Sequence, residues 1–275
     1  MTHTNFEHMY FSLVLSILAT GEQVKGRNGN TVSLIGQTLN FDLRKEFPIL
    51  QAREYFYRGV FGEFAAIVRG PKALEDFVKF GCGYWQKWAE KDLSIKVDYG
   101  NAWLDFNGVN QLEWVANEIK TNPQSRRLIV SGWNPANVIN NNLSLPCCHY
   151  AYQFIVRGNT LHMVWIQRSA DTMIGIPADA ILAALWLIAL ANETGLIAGE
   201  CTMHFADTHI YEEHKEKAAQ LAQLYSDASY YDGIPITKWR YTAEPGKKLV
   251  DFLPSDVSLI NYKAFGPKVE FLLKD

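Results

Sequence analysis

Cys147, Cys148 and His149 are followed in one short stretch of chain by Gln167, Arg168, Ser169, Asp171 and Asp179. These residue types offer a thiol nucleophile, a guanidinium and two carboxylates, the parts of a covalent addition to an anionic substrate. A thiol attacks as its thiolate, which nearby positive charge favours. Either cysteine qualifies on composition, and the plain alternative is a buried cysteine packed as a small hydrophobe. Arg126 and Arg127 follow Ser125 at the start of a predicted strand, and Arg168 ends another. Guanidinium groups present planar forks of donors that suit a phosphate monoester, although ordinary surface arginines look the same in a sequence. Arg27 lies between Gly26 and Asn28-Gly29, where the backbone is free to close over such a group.

The elements that must position these groups follow from periodicity. Apolar residues recurring at three- and four-residue steps predict helices over 53–68 and 74–89. Helices are also expected over 9–18 and 177–194, which carry continuous apolar runs, and over 110–120 and 209–224. Residues 31–41 read as a strand, a turn at Gly36 and a second strand. Strands are also expected over 127–133, 150–156, 160–167 and 200–205, with a turn at Gly158-Asn159. Helices and strands mix without a regular βαβ rhythm, so the class is α+β around an antiparallel or mixed sheet.

Composition sets the outer limits. The 275 residues are 48% hydrophobic, which excludes a disordered or fibrous chain and allows one large core. A net charge of −3 gives no global reason for nucleic-acid or membrane-surface binding, so placed arginines must meet any phosphate. Four cysteines, Cys82, Cys147, Cys148 and Cys201, show neither a disulfide framework nor metal-ligand spacing, and a reducing compartment is expected. The apolar run 180–191 spans only about half of a bilayer, and no Lys or Arg precedes the run 9–18. A soluble cytoplasmic protein, a single domain over 1–275, is the expectation.

From Gly26 almost to the C-terminus the chain resembles thymidylate synthases. Phe47-Pro48, Glu63, Tyr84-Trp85-Gln86-Lys87-Trp88, Tyr99-Gly100, Ser125-Arg126-Arg127, Ser131-Gly132-Trp133-Asn134, Cys148-His149, Gln167-Arg168-Ser169 and Asp207-Thr208-His209-Ile210-Tyr211 occur in the family's order. The resemblance implies a three-layer fold with a large mixed sheet, dimerising sheet to sheet. It implies Cys148 as nucleophile, with Glu63, Tyr99 and His149 assisting. It implies a phosphate site of Arg27, Arg168 and Ser169, completed by Arg126 and Arg127 of the other subunit. His209 and Tyr211 would hold the sugar 3′-hydroxyl of a deoxyribonucleotide, with Gln167 and residue 179 near the base. Trp85 and Asp171 would face the co-substrate, 5,10-methylenetetrahydrofolate. The implied reaction adds the thiolate to C6 of the pyrimidine, which makes C5 nucleophilic enough to take a one-carbon unit.

One position departs from that pattern. The family carries asparagine where this chain has Asp179. Asparagine offers one acceptor and one donor, matching N3–H and O4 of uracil, whereas a carboxylate offers only acceptors. Cytosine presents a 4-amino donor and an N3 that can be protonated, so Asp179 points to dCMP. A first-turn or capping aspartate is the structural alternative, since a long predicted helix begins here. Aspartate here resembles the deoxycytidylate hydroxymethylases of phages with modified DNA, acting in the host cytoplasm. The expected reaction is dCMP with water to 5-hydroxymethyl-dCMP and tetrahydrofolate. The alternatives are dCMP methylation with release of dihydrofolate, or a divergent synthase or hydroxymethylase using dUMP. The tail 267–275 is longer and more charged than the family's, and Arg53 and Phe56 replace a family lysine and histidine.

Overall fold

A computed structural model of the chain describes residues 5–225, 229 and 232–274. Its strands are β1 (Glu22–Gly26), β2 (Gly29–Asp42), β3 (Ile129–Ser131), β4 (His149–Arg157), β5 (Thr160–Gln167), β6 (Ala170–Asp171), β7 (Ile197–Tyr211), β8 (Lys238–Tyr241) and β9 (Val257–Ile260). Its α-helices are α1 (Phe6–Thr20), α2 (Tyr57–Ile67), α3 (Leu74–Val78), α4 (Asn101–Leu104), α5 (Gln111–Thr121), α6 (Pro135–Ile139), α7 (Gly175–Thr194) and α8 (Lys215–Tyr225). Among the described residues the main sheet has seven strands in the order β1-β2-β7-β5-β4-β3, with β6 beside β7. β5 and β6 run parallel to β7, and the other neighbours are antiparallel. The sheet is therefore mixed and the class α+β. Parallel neighbours need a long crossover, which α7 supplies between β5 and β7.

α7 is apolar on all sides, and such a helix must be covered on all sides. It packs on β7 and β5 below and on α2 and α5 above, which makes three layers. The indole of Trp186, fully buried, meets the rings of Trp103, Tyr152 and Phe154. Gly195 ends the helix in the left-handed conformation at φ 71°. At 20 residues α7 is long and apolar enough to cross a membrane, but 83% of its most apolar 18-residue stretch is buried inside the protein. Beside it α1, capped by the Asn5 side chain, lies on β2 and β7 with α8 outside it.

Four expectations are corrected. Residues 31–41 form part of one continuous strand: Ile35 pairs with Asp207 and Gln37 with Phe205 in unbroken register, so Gly36, at φ 70°, is a local twist rather than a hairpin turn. The stretch 74–89 is two short pieces, α3 and a 3₁₀ turn over Tyr84–Trp88, separated at Gly81, whose φ is 83°. The helix expected from Arg53 starts at Tyr57, because the chain leaves the helical region at Phe56, its N-cap residue, at φ −77° and ψ 59°. The helix expected from His209 starts at Lys215. His209 and Tyr211 belong to β7, where they alternate with buried Thr208 and Ile210 and pair with Ser33 and Thr31 of β2.

Candidate active site

Every strand that carries an expected site residue delivers it to one end of the sheet. His149 opens β4 opposite Gln167, which closes β5, and the Arg168 amide donates to the Cys148 carbonyl at 2.9 Å. Asp171 in β6 lies beside His209 in β7, and β2 lies alongside, its hairpin with β1 carrying Arg27 at the turn. Asp179 comes from the first turns of α7, which enters above the same edge.

These residues surround a cleft of two compartments. A polar one of about 440 Å³ is lined by Arg27, Cys148, Gln167, Arg168, Ser169, Asp171, Asp179, His209 and Tyr211, among others. An apolar one of about 350 Å³ is lined by Glu63, Trp85, His149 and a wall of Tyr55, Phe56, Ile174, Leu182 and Phe271. Trp88, Tyr99, Gly175, Asp179 and Leu273 line both and mark where they meet. Arg126 and Arg127 line neither; both are exposed at the start of β3. Among the described residues no group of three His, Cys, Asp or Glu side chains could hold a metal ion.

Cys148 has its backbone amide donating to the Tyr99 hydroxyl at 2.5 Å. Burial pushes its thiol up from the ordinary range, while Arg168 and a hydrogen bond with Tyr99 pull the other way. Arg168 is pinned by bonds to the carbonyls of Cys147 (2.8 Å) and Pro146 (3.1 Å), and lies over the Trp133 ring. Its charge is thereby fixed beside the thiol. Cys147 is fully packed, and burial raises its thiol well above the ordinary range. Of the two adjacent thiols, Cys148 is the one that lines the cleft.

Two buried carboxyls hold protons near neutrality. Glu63 accepts from the Tyr84 hydroxyl (2.5 Å) and the Trp85 indole (2.7 Å), yet burial outweighs both bonds and lifts it to about 7. Asp179 is lifted to about 8 by burial, opposed by a bond from Gln167 and reinforced by Glu63 and Asp171. The Gln167 amide is fully oriented: Trp165 Nε1 donates to its Oε1 at 3.1 Å, so its Nε2 donates to Ser169 O (2.9 Å) and Asp179 Oδ2 (2.7 Å). His149, by contrast, is held neutral, its value pressed down to about 3 by burial.

At the far end of the polar compartment His209 Nδ1 bonds Asp207 Oδ1 at 2.7 Å, and Ser33 donates to Asp207 Oδ2 at 2.6 Å. Burial alone would raise Asp207, but these two bonds together bring it below the usual range. Asp171 Oδ1 accepts from the Met173 and Ile174 amides, and burial raises it. The C-terminal tail covers the mouth. Phe271 stacks between the Arg53 guanidinium (4.9 Å) and the His214 ring (5.1 Å), and Lys87 donates to the Leu273 carbonyl. Arg53 also donates to the Met173 carbonyl. Asp275 of the tail lies outside the described residues.

The family model for thymidylate synthase matches residues 8–272. The chain belongs to the thymidylate synthase family. Its chemistry is therefore that of a transferase carrying out folate-dependent one-carbon transfer to C5 of a pyrimidine nucleotide, with methylenetetrahydrofolate as co-substrate. Sequence reasoning passed over several neighbours of the site: Tyr152 against His149, Trp165 against Gln167, Asp207 against His209, and Phe271 in the tail. Alternation was the available signal for the first two, since Tyr152 and Trp165 are cross-strand partners on the buried face of β4 and β5.

Proposed function

We propose that this member of the thymidylate synthase family is a deoxycytidylate 5-hydroxymethyltransferase, converting dCMP, methylenetetrahydrofolate and water to 5-hydroxymethyl-dCMP and tetrahydrofolate. The observation that carries the reading is Asp179 at the junction of the two compartments, one oxygen held by Gln167 and its proton retained through burial. A carboxylic acid is a donor, and cytosine N3 is an acceptor. Uracil would set its N3–H against that proton.

In this reading Cys148 forms the bond to C6, and electron density moves toward N3, where Asp179 delivers its proton. Arg168, Arg27 and Ser169 take the phosphate, and His209 and Tyr211 take the 3′-hydroxyl. His209 is suited to this because Asp207 holds Nδ1 and leaves Nε2 for the sugar. Glu63, near 7, can hold or release a proton at working pH and is placed to relay it through water. Tyr99, bonded to the Cys148 amide, would act on the carbon that loses its proton. The aromatic wall fits a flat folate, and the Trp88 indole N–H, buried without a protein partner, is a free donor there. Trp85 and Asp171 would hold it with that wall. When bound, methylenetetrahydrofolate supplies the one-carbon unit as an electrophile.

Methylation of dCMP is the second reading, and one observation favours it: Phe271 and Leu273 of the tail bring apolar side chains to the apolar compartment, where water would have to enter. Incubation with dCMP and methylenetetrahydrofolate separates the two. A hydroxymethyl product without dihydrofolate supports the first; dihydrofolate formation supports the second; reaction of dUMP alone rejects cytosine.

The half-exposed outer face of the sheet, including Gln153, Ile155, His162 and Val164, supports a homodimer, and the free cysteines Cys82, Cys147, Cys148 and Cys201 suit a reducing cytoplasm. Arg126 and Arg127 would then complete the partner subunit's phosphate site. Mixing inactive Cys148→Ser and Arg127→Ala chains should restore activity, and failure to do so sinks the shared site.

A further inference from the structure

The acid at position 179 leaves base selection incomplete, because a neutral carboxyl taken alone is both donor and acceptor and can turn to suit either pyrimidine. Its surroundings remove that freedom. Gln167 cannot flip, since an indole N–H only donates and Trp165 thereby identifies Oε1. The amide must donate to Asp179 Oδ2. The carbonyl-type oxygen of a carboxyl group is its better acceptor, so this bond favours Oδ2 as that oxygen and the proton on Oδ1.

Oδ1 faces His149 Nε2 at 3.9 Å, too far for a direct bond and open to a third group between or beside them. What Nε2 offers depends on Tyr152. The Tyr152 hydroxyl, fully buried, is 2.5 Å from His149 Nδ1 and 3.1 Å from the carbonyl oxygen of the same residue. It owns one proton, and the carbonyl can only accept. If that proton went to Nδ1, the hydroxyl and carbonyl oxygens would face each other with none between them. Both contacts are hydrogen bonds only when the hydroxyl donates to the carbonyl and Nδ1–H donates to the hydroxyl. The ring proton is then on Nδ1, and Nε2 presents a lone pair.

We propose that Tyr152 is a specificity-determining positioning residue: by fixing the His149 tautomer it pairs an accepting Nε2 with the donating Oδ1 of Asp179, forming an edge complementary to cytosine. The inference rests on the cytosine reading and deepens it. Asp179 Oδ1–H meets cytosine N3, and the 4-amino group donates to His149 Nε2. Uracil fails at both points, N3–H against a proton and O4 against a lone pair. Burial keeps His149 neutral, so Nε2 stays an acceptor across the working range. Trp165 acts in the same manner one step removed, through Gln167.

The test uses the full chain with dCMP bound and selectively ¹⁵N-labelled histidine. Nitrogen chemical shifts should show His149 with a protonated Nδ1 and a bare Nε2. Tyr152→Phe keeps the ring and removes the hydroxyl; its ratio of kcat/KM for dCMP over dUMP should fall by about tenfold, the worth of one buried hydrogen bond. Trp165→Phe should shift the ratio in the same direction. A proton on Nε2 in the wild type, with dCMP still turned over, overturns this inference alone and leaves the cytosine reading standing. An unchanged ratio in Tyr152→Phe overturns it as well. Wild-type turnover of dUMP but not dCMP overturns both.

Discussion

At the scale of single residues, the cleft is a set of side chains whose protonation is decided by burial. Replacing Asp179 by asparagine should test this most directly. An amide neither releases nor lends its proton, and its fixed donor and acceptor match uracil N3–H and O4. The kcat/KM ratio of dCMP to dUMP should drop by at least about tenfold in Asp179→Asn, and an unmoved ratio would count against position 179 reading the base. The residues that line the cleft were legible mainly through the family resemblance. Composition left Cys147 and Cys148 equal and made Arg27 and Arg168 ordinary, whereas the matching motifs singled out Cys148, Arg27 and Arg168, all of which line the polar compartment. The proton inventory was not legible. A sequence presents Asp179 as a carboxylate; burial keeps it an acid, reinforced by Glu63 and Asp171 from other elements and opposed by the bond from Gln167. Likewise Tyr152 and Trp165 read as core aromatics, since nothing local says which polar atom their handles will meet.

Among the elements, α7 and the tail do different work for the cleft. α7 was readable in advance because a helix buried on every face has no periodicity to misread, only length, Pro177 in its first turn and Gly195 at its end. β7 was underread for the opposite reason: its last residues alternate polar and apolar, and the helical run that follows captured His209 and Tyr211. Trp186, the ring cluster at the centre of α7, should carry stability rather than activity. The tail should carry the reverse. Phe271 is only partly buried against the edge of the core, and is held there by a cation and a ring edge. Its replacement by alanine should raise the KM for the folate about tenfold, with little change in KM for dCMP or in the melting temperature. A parallel rise in both KM values would show that the tail serves the whole cleft rather than its apolar compartment.

For the whole molecule, the buried acids make a prediction about pH. Burial lifts Glu7 and Asp179 to about 8, and Glu46 and Glu63 to about 7. Each is raised, so the folded chain keeps protons that the unfolded chain loses above about pH 4. Stability from these groups is fullest at low pH and declines as pH climbs through 7 and 8. Buried His149 works in the opposite sense, but its effect is complete by about pH 6.5, where the unfolded imidazole is neutral too. The melting temperature should therefore fall between about pH 6.5 and 8. Glu7→Gln keeps an oxygen for the Gln51 and Ala52 amides, and should flatten that slope; an identical slope in the variant would remove Glu7 from the account. The central helix carries a different consequence, one concerned with the order of synthesis. α2, α5 and β5 have left the ribosome when α7 emerges, but β7 has not. For that interval a 20-residue segment with the composition of a membrane span lacks the strand that covers its underside. Chaperones and targeting factors compete for it then, and crosslinking to stalled nascent chains should show their contacts at α7 vanish once β7 is exposed.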